Sequence, residues 1–266
     1  MKLLTLGFIF ICNCCFAQQW QVEVGGGVSG YSGDLSKPLI STHTLGASFG
    51  AGVKYMLPDN FMVLRAAVNY GQIQGNDAFS KSSDLRARNL NFKSNILEGS
   101  ICLEVNLADP TVYDGLPYLF AGLGVFHFNP YTYDNTNTKV YLQPLGTEGQ
   151  GLSEYPNRPM YKTTKMFIPF GLGWKYKLSD RVDLIYELGF RYTNTDYLDD
   201  VSTTYANPQI LLAKRGPLAA ELAFRQNKSS AGFTGKIRGN PDAKDWYYIT
   251  GLKVCVKLGE LLDSDY

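Results

Sequence analysis

His43 and His127 are the only histidines in the chain, and imidazole is the side chain best suited to moving a proton near neutral pH or binding a transition metal. Neither has a partner at a spacing that would put it to work. No G-x-S-x-G run offers an activated serine, and no cysteines and histidines fall at zinc-site spacing. Both histidines lie near the loop-side ends of expected strands, so structural or solvent-facing roles are expected. Gly25, Gly27 and Gly30 in GGGVSG match the G-x-G-x-x-G spacing of a dinucleotide loop. That loop needs a helix directly after it, whose N-terminal amides hold the pyrophosphate. YSGDLSKP follows instead and ends at Pro38, so these glycines read as close backbone approaches in a twisted strand. Cys102 and Cys255 are expected on strands facing each other across the fold, too far apart to bridge. No catalytic residue, metal or cofactor is expected.

The positioning elements show in the period of the sequence. In RVDLIYELGFRYTNTDYLDD (181–200), Val182, Leu184, Tyr186, Leu188, Phe190 and Tyr192 share one face, and Asp183, Glu187 and Arg191 fall on the other. The same alternation recurs in about eight segments. WQVEVGGGVSGY, THTLGASFGAGVKYML, FMVLRAAVNYG, NILEGSICLEVNL, KMFIPFGLGWKYK and WYYITGLKVCVKL all carry it, whereas LPYLFAGLGVFHF is apolar on both faces and leaves its phase open. Charged residues are 18% of the chain, below the roughly 25% usual for soluble domains. Aromatics at 14% and 27 glycines favour β-structure. The formal charge of +1 offers no field for nucleic acid.

Residues 1–17, with Lys2 ahead of an apolar run, read as a cleavable secretory signal, leaving 18–266 as one domain with a short acidic tail. The signal removes Cys12, Cys14 and Cys15. Beyond it, no apolar run of ~20 residues could cross a bilayer as a helix, so a mature chain in a membrane must close into a barrel. The connections fit. LPDN (57–60), ADPTVYDGLP (108–117) and LSDR (178–181) are short, while 31–42, 73–89, 129–163 and 195–245 are long. Tight turns at one end and long loops at the other define an up-and-down outer-membrane barrel, with the termini on the short-turn side. Trp20, Tyr55, Tyr70, Tyr176, Tyr192 and Trp246 stand near strand ends, as interfacial girdles require.

The fold class expected is therefore all-β: a single up-and-down antiparallel transmembrane β-barrel, eight strands with long extracellular loops, in the outer membrane of a Gram-negative bacterium. The lipid-facing set is apolar. The inward set is Glu23, Lys54, Arg65, Glu98, Glu104, Lys175, Lys177, Asp183, Glu187, Arg191, Lys253 and Lys257. So narrow a barrel has room for side chains and little water, so these charges must pair. In the last loop, Leu211, Leu212, Leu218, Leu222 and Phe224 could line a short helix broken near Gly216, or the segment could add a hairpin and give ten strands. A soluble sandwich is the alternative fold.

Three loop runs carry a resemblance: YSGDL (31–35), DYLDDVSTTY (196–205) and IRGNPDAKDWYYITG (237–251). With the strand order, they are similar to the PorG family, the outer-membrane barrel component of the type IX secretion and gliding machinery. The motif positions are Gly33, Asp34, Leu35, Tyr197, Leu198, Asp199, Asp200, Arg238, Gly239, Asn240, Pro241, Asp242, Asp245 and Trp246. The resemblance implies a non-enzymatic barrel whose partners are a periplasmic ring lipoprotein and that lipoprotein's own partner, alongside outer-membrane lipid. The topology places all three motifs at the extracellular rim, where Asp34, Asp199, Asp200 and Arg238 could form a charge-assisted cluster pinning the loops. A generic structural or small-molecule-binding barrel and a lipid-modifying rim enzyme are the other function classes.

Overall fold

In the computed structural model of the chain, the described residues are 20–38, 40–227, 229–230 and 232–258. The expected signal over 1–17 and the tail over 259–266 lie outside them. Nine strands follow in chain order: β1 (Trp20–Ser32), β2 (Gly46–Met56), β3 (Met62–Asn76), β4 (Asn91–Asn106), β5 (Gly115–Tyr133), β6 (Lys139–Tyr141), β7 (Thr164–Lys177), β8 (Val182–Thr193) and β9 (Trp246–Lys257). All pairings are antiparallel, and β1 bonds both β2 and β9, so eight strands close into a barrel. The ninth, β6, is a three-residue flap on the end of β5. Closure leaves no unpaired edge, which is the condition for a sheet to stand in lipid.

The tight turns are held by their own side chains. Asp59 Oδ1 accepts from the amides of Phe61 and Met62, and Ser179 Oγ from those of Arg181 and Val182. Outward residues form an exposed apolar belt that includes Phe49 (62%), Ile101 (62%), Leu123 (60%) and Met166 (64%). Such a band is stable only against hydrocarbon. Trp20 and Tyr55 meet edge to face near the short-turn end, and Tyr192 and Trp246 pack together near the other. The phase of β5 is now fixed. Leu119, Ala121, Leu123 and Val125 face out, while Tyr118, Phe120, Phe126 and Phe128 are buried inside.

The lumen is a connected ion-pair network. Glu104 takes Lys54 at 3.0 Å, Arg65 at 3.0 Å and Lys175 at 2.8 Å. Glu23 takes Lys54 at 2.9 Å and Lys253 at 3.2 Å; Glu187 takes Lys253 at 2.9 Å and also pairs with Arg65. The Tyr118 hydroxyl donates to Glu187 at 2.7 Å. One layer up, Arg191 grips Glu98, which also accepts from Tyr247 at 2.6 Å and from Asn69 at 2.9 Å. A cleft of about 30 Å³ lies beside Glu23 and Ser48, room for about one water. Three members of the expected inward set lie elsewhere. Lys177 is exposed and pairs with Asp180 at 2.7 Å across the turn, because its position is past the end of the enclosed lumen. Asp183 and Lys257 pair at 3.5 Å at the partly open short-turn mouth.

The long-loop end also departs from expectation. β3, β4 and β5 run past the bilayer, since 15, 16 and 19 residues exceed the ~9–11 that span it. The expected loops over 73–89 and 129–163 are correspondingly shorter. The inward residues of these extensions, Ile73, Phe92, Ile96, Phe126 and Phe128, pack with Tyr31, Leu90, Leu142, Leu198, Val201 and Leu222 into the main apolar core, which sits across the mouth. No extra hairpin forms in the last loop among the described residues. Two short helices, α2 (Pro208–Arg215) and α3 (Pro217–Ala223), break at Gly216, and Leu211 and Leu222 point into the cap while Leu212 stays exposed. With α1 (Ser83–Arg88) they complete the cover.

Removing the Glu104 carboxylate strands the buried Lys175 and takes one partner each from Lys54 and Arg65. Glu104→Leu should cost roughly 3–5 kcal/mol, by the cost of breaking a buried pair on one side, and should lower the urea midpoint of the refolded barrel. Lys177→Leu should leave that midpoint in place. Equal midpoints for Glu104→Leu and the unmodified protein would show that the lumen charges contribute nothing.

Candidate functional site

The three motif runs converge over the barrel mouth. At the end of β1, Gly33 and Ser36 bond each other's backbone in a tight turn. Asp34 then lies under the last loop and accepts from the Asn240 amide at 2.9 Å. Two glycines allow this approach. A Cβ at Gly33 would collide with the Tyr31 hydroxyl and Asp245 Oδ1, and one at Gly239 would collide with Asp34 Oδ2. Leu35 and Leu198 bury their side chains in the mouth core. Tyr197 stacks on Tyr161 at 4.6 Å, and Tyr161 on Phe128, which ties the cap to a barrel strand.

Asp199 and Asp200 face different partners. Asp199 accepts from the Val201 amide at 2.9 Å and the Tyr31 hydroxyl at 2.7 Å. Asp200, in the left-handed region at φ 66°, accepts from Thr147 at 2.5 Å and Tyr161 at 2.7 Å. Asp245 accepts from the Leu198 amide at 2.9 Å and lies 3.0 Å from the Tyr31 hydroxyl. Trp246 starts β9 and packs on Tyr192 and Phe170. Pro241 and Asp242 stay exposed outside the cluster.

The expected four-residue charge cluster is corrected in its partners. Arg238 reaches the Asp200 carbonyl at 2.8 Å, and its carboxylate partner is Glu148 at 3.0 Å. Glu148 also accepts from the amides of Ser202 and Thr203 and from the Thr203 hydroxyl. A second guanidinium does as much. Arg88 is bidentate on Asp77 at 2.7 Å and donates to the carbonyls of Asp34 at 3.0 Å and Arg238 at 2.5 Å, joining three loops. Arg88, Asp77 and Glu148 lie outside the three motif runs, whereas Tyr31 opens the first of them. The available signal was TEGQG (147–151), whose Gly149 and Gly151 take φ of 82° and 73° around a tight turn.

Buried carboxylates outnumber buried cations in this cap. Asp34, Asp77, Glu148, Asp199, Asp200, Asp196 and Asp245 face two buried arginines, Arg88 and Arg238. Tyr31 has one hydroxyl hydrogen for two carboxylates, so closing both of its contacts takes a proton held on Asp199 or Asp245. Burial pushes both carboxyls well above the usual range, Asp34 adding to the effect at Asp199 and Asp199 at Asp245. Burial also raises Asp200 to about 6 despite Arg238, and Asp196 to about 7. Neither Asp196 oxygen has a well-aligned donor, and the Ser202 hydroxyl gives only partial relief. Among the described residues no group of three or more His, Cys, Asp or Glu is placed to hold a metal.

Neither histidine joins the hydrogen bonds of this cluster among the described residues. His127 faces outward from β5, 3.1 Å from the Thr164 hydroxyl, and His43 stacks on Phe79. Cys102 and Cys255 are free, buried thiols.

A family described as a domain of unknown function, DUF6089, matches residues 1–215. The chain belongs to this family. The DUF6089 match takes in YSGDL, DYLDDVSTTY, Arg88 and Glu148, while the 237–251 motif lies beyond it. None of the curated proteins matches the chain. Similar solved structures include Neisserial surface protein A, at 14% identity and TM-score 0.42, covering 90% of this chain and 96% of that one. A major outer membrane protein of Thermus thermophilus is similar at 12% identity and TM-score 0.45, over 90% and 98%. Ail, the attachment invasion locus protein of Yersinia pestis, is similar at 8% identity and TM-score 0.40, over 89% and 97%. These likenesses are of fold alone.

The pH dependence of the cap follows in sign. Carboxyls whose folded pKa is raised bind more protons folded than unfolded, so their contribution is complete below the unfolded value of ~3.9 and falls as pH rises through the folded values. The cap should be tighter at pH 5 than at pH 8, read as tryptic cleavage after Lys236 with the protease rate corrected on a peptide. Asp196→Asn should flatten this dependence and slow cleavage at pH 8. Faster cleavage of Asp196→Asn at pH 8 would mean that the ionised carboxylate stabilises the cap.

Proposed function

We propose that the chain is a non-enzymatic outer-membrane barrel that anchors the periplasmic ring of the type IX secretion and gliding machinery. The observation that carries the anchoring role is the double closure of the barrel: the ion-pair network around Glu104 fills the lumen, and the Arg88 and Arg238 cap covers the mouth. A sealed barrel offers partners its outer surfaces only. The link to type IX secretion rests on the resemblance of the YLDDVS and RGNP…DWY runs to the PorG family, whose barrel meets a ring lipoprotein and that lipoprotein's partner.

On this reading the contact lies at the short-turn end, which faces the periplasm. Asp59, Asn60, Asp114, Ser179 and Asp180 are exposed there, beside exposed Phe61, Val112, Tyr113 and Leu178. An apolar patch rimmed by polar groups is what a protein interface requires. The motif residues then act at a distance from the partner, by holding the opposite end rigid. Asp263–Tyr266, which this reading also assigns to the periplasmic side, lie outside the described residues.

Deleting the gene should leave type IX cargo in the periplasm and reduce the amount of assembled ring, with membrane permeability and lipid composition unchanged. Complementation with a variant in which both His43 and His127 are replaced by alanine should restore secretion. Normal secretion by the deletion strain would remove the anchor reading in favour of a barrel with no tie to secretion. Failure of the double histidine variant, present at normal level, would favour a rim enzyme.

A further inference from the structure

We propose that the extracellular rim carries a binding site for a phosphorylated saccharide, between the β1–β2 and β3–β4 loops. A cavity of about 450 Å³ opens there, and a second of about 280 Å³ adjoins it, sharing His43, Thr44, Asn76 and Phe79. Volumes on this scale suit one or two sugar rings.

The lining has the chemistry of such a ligand. Thr44 is 3% exposed, and its hydroxyl has no hydrogen-bond partner, although it borders both cavities. A buried hydroxyl left unpaired costs free energy that a ligand oxygen would relieve. Lys37 and Lys81 line the larger cavity and make no ion pair among the described residues. Of the nearby acids, Asp77 is held by the bidentate Arg88, and Asp34 accepts from the Asn240 amide and feels the charges of Arg88 and Lys37 without closing an ion pair on either. The two ammonium groups are thus available to an anion. Phe79 is 57% exposed with the His43 ring stacked on it at 5.4 Å, a flat apolar platform of the kind a pyranose face covers. Cations, an unpaired hydroxyl and an aromatic platform together fit a sugar phosphate better than a fatty chain or a neutral sugar.

The ligand has two sources. The rim stands beyond the bilayer on the side where glycolipid headgroups project, so the saccharide can be such a headgroup; it can also be a soluble sugar phosphate. Two histidines in the whole chain make the test direct. The imidazole NMR signals of the full-length barrel in phosphatidylcholine nanodiscs are followed with glucose 1-phosphate, with glucose, and with diphosphoryl lipid A added to the disc. Glucose 1-phosphate or lipid A should shift His43 and leave His127 in place, and glucose should do neither. A shift with lipid A alone assigns the headgroup; one with glucose 1-phosphate alone assigns the soluble sugar. Lys37→Gln with Lys81→Gln should weaken binding at least about tenfold, the scale of losing one charge-assisted hydrogen bond. Thr44→Val should weaken it a few-fold, with both variants keeping the heat-modifiable gel shift of the folded barrel. An unmoved His43 with both phosphorylated probes would overturn the site. So would equal shifts with glucose, or unchanged affinity in the folded lysine variant.

Discussion

Glu104 holding Lys54, Arg65 and Lys175 inside the barrel is the contact on which the rest of the molecule depends. Eight strands enclose a space too narrow for a water column and too wide to leave empty. The outward face must be apolar because it meets lipid, so the alternating inward face receives the polar residues of every strand. Those charges hold because each one is paired, and Glu23, Lys54, Arg65, Glu104, Glu187 and Lys253 each touch two or more of opposite sign. Arg65 alone joins carboxylates from β1, β4 and β8. The network therefore connects strands that share no backbone bond, and it resists ovalisation of the barrel as well as filling it. There is one more cation than carboxylate among Glu23, Glu104, Glu187, Lys54, Arg65, Lys175 and Lys253. The Lys175 ammonium also donates to Asn106 Oδ1 and stands over the Tyr118 ring, which spread the remaining positive charge.

Above this layer the logic reverses. The extended ends of β3, β4 and β5 supply an aromatic collar, and the loops close over it with carboxylates in excess of arginines. Arginine is suited to the work, since Arg88 and Arg238 each hold a side chain and backbone carbonyls of other loops at once. Protons on the raised carboxyls supply the balance that two guanidiniums cannot. The cap thus shares one apolar core with the extended strands, above a lumen already filled by the ion pairs.

The barrel was legible because period-two alternation survives in nearly every strand, and nine of the twelve charges assigned inward sit in the enclosed lumen. Lys177 broke the rule because alternation says which face a residue occupies but not how far the lumen extends. The phase of β5 was illegible because its inward face is also apolar, with Tyr118 and Phe120 packed around the charges and Phe126 and Phe128 in the collar. The cap motifs marked the right loops, yet their pairing was beyond reach. Arg238 meets Glu148 across 90 residues, and Arg88 meets the Arg238 carbonyl across 150, with no periodicity to link them. Asp199 and Asp200 are neighbours in sequence, but the left-handed backbone at Asp200 sends their carboxylates to different hydroxyls.

Closure of the barrel at two levels is the claim that separates an anchor from a channel, and ion conductance reads it directly. Purified protein in a planar bilayer, with insertion confirmed by protease access to the long loops, should give no steady current at either polarity. A stable, ohmic conductance from the unmodified protein would mean that water crosses between the Glu104 network and the wall, and would contradict the account.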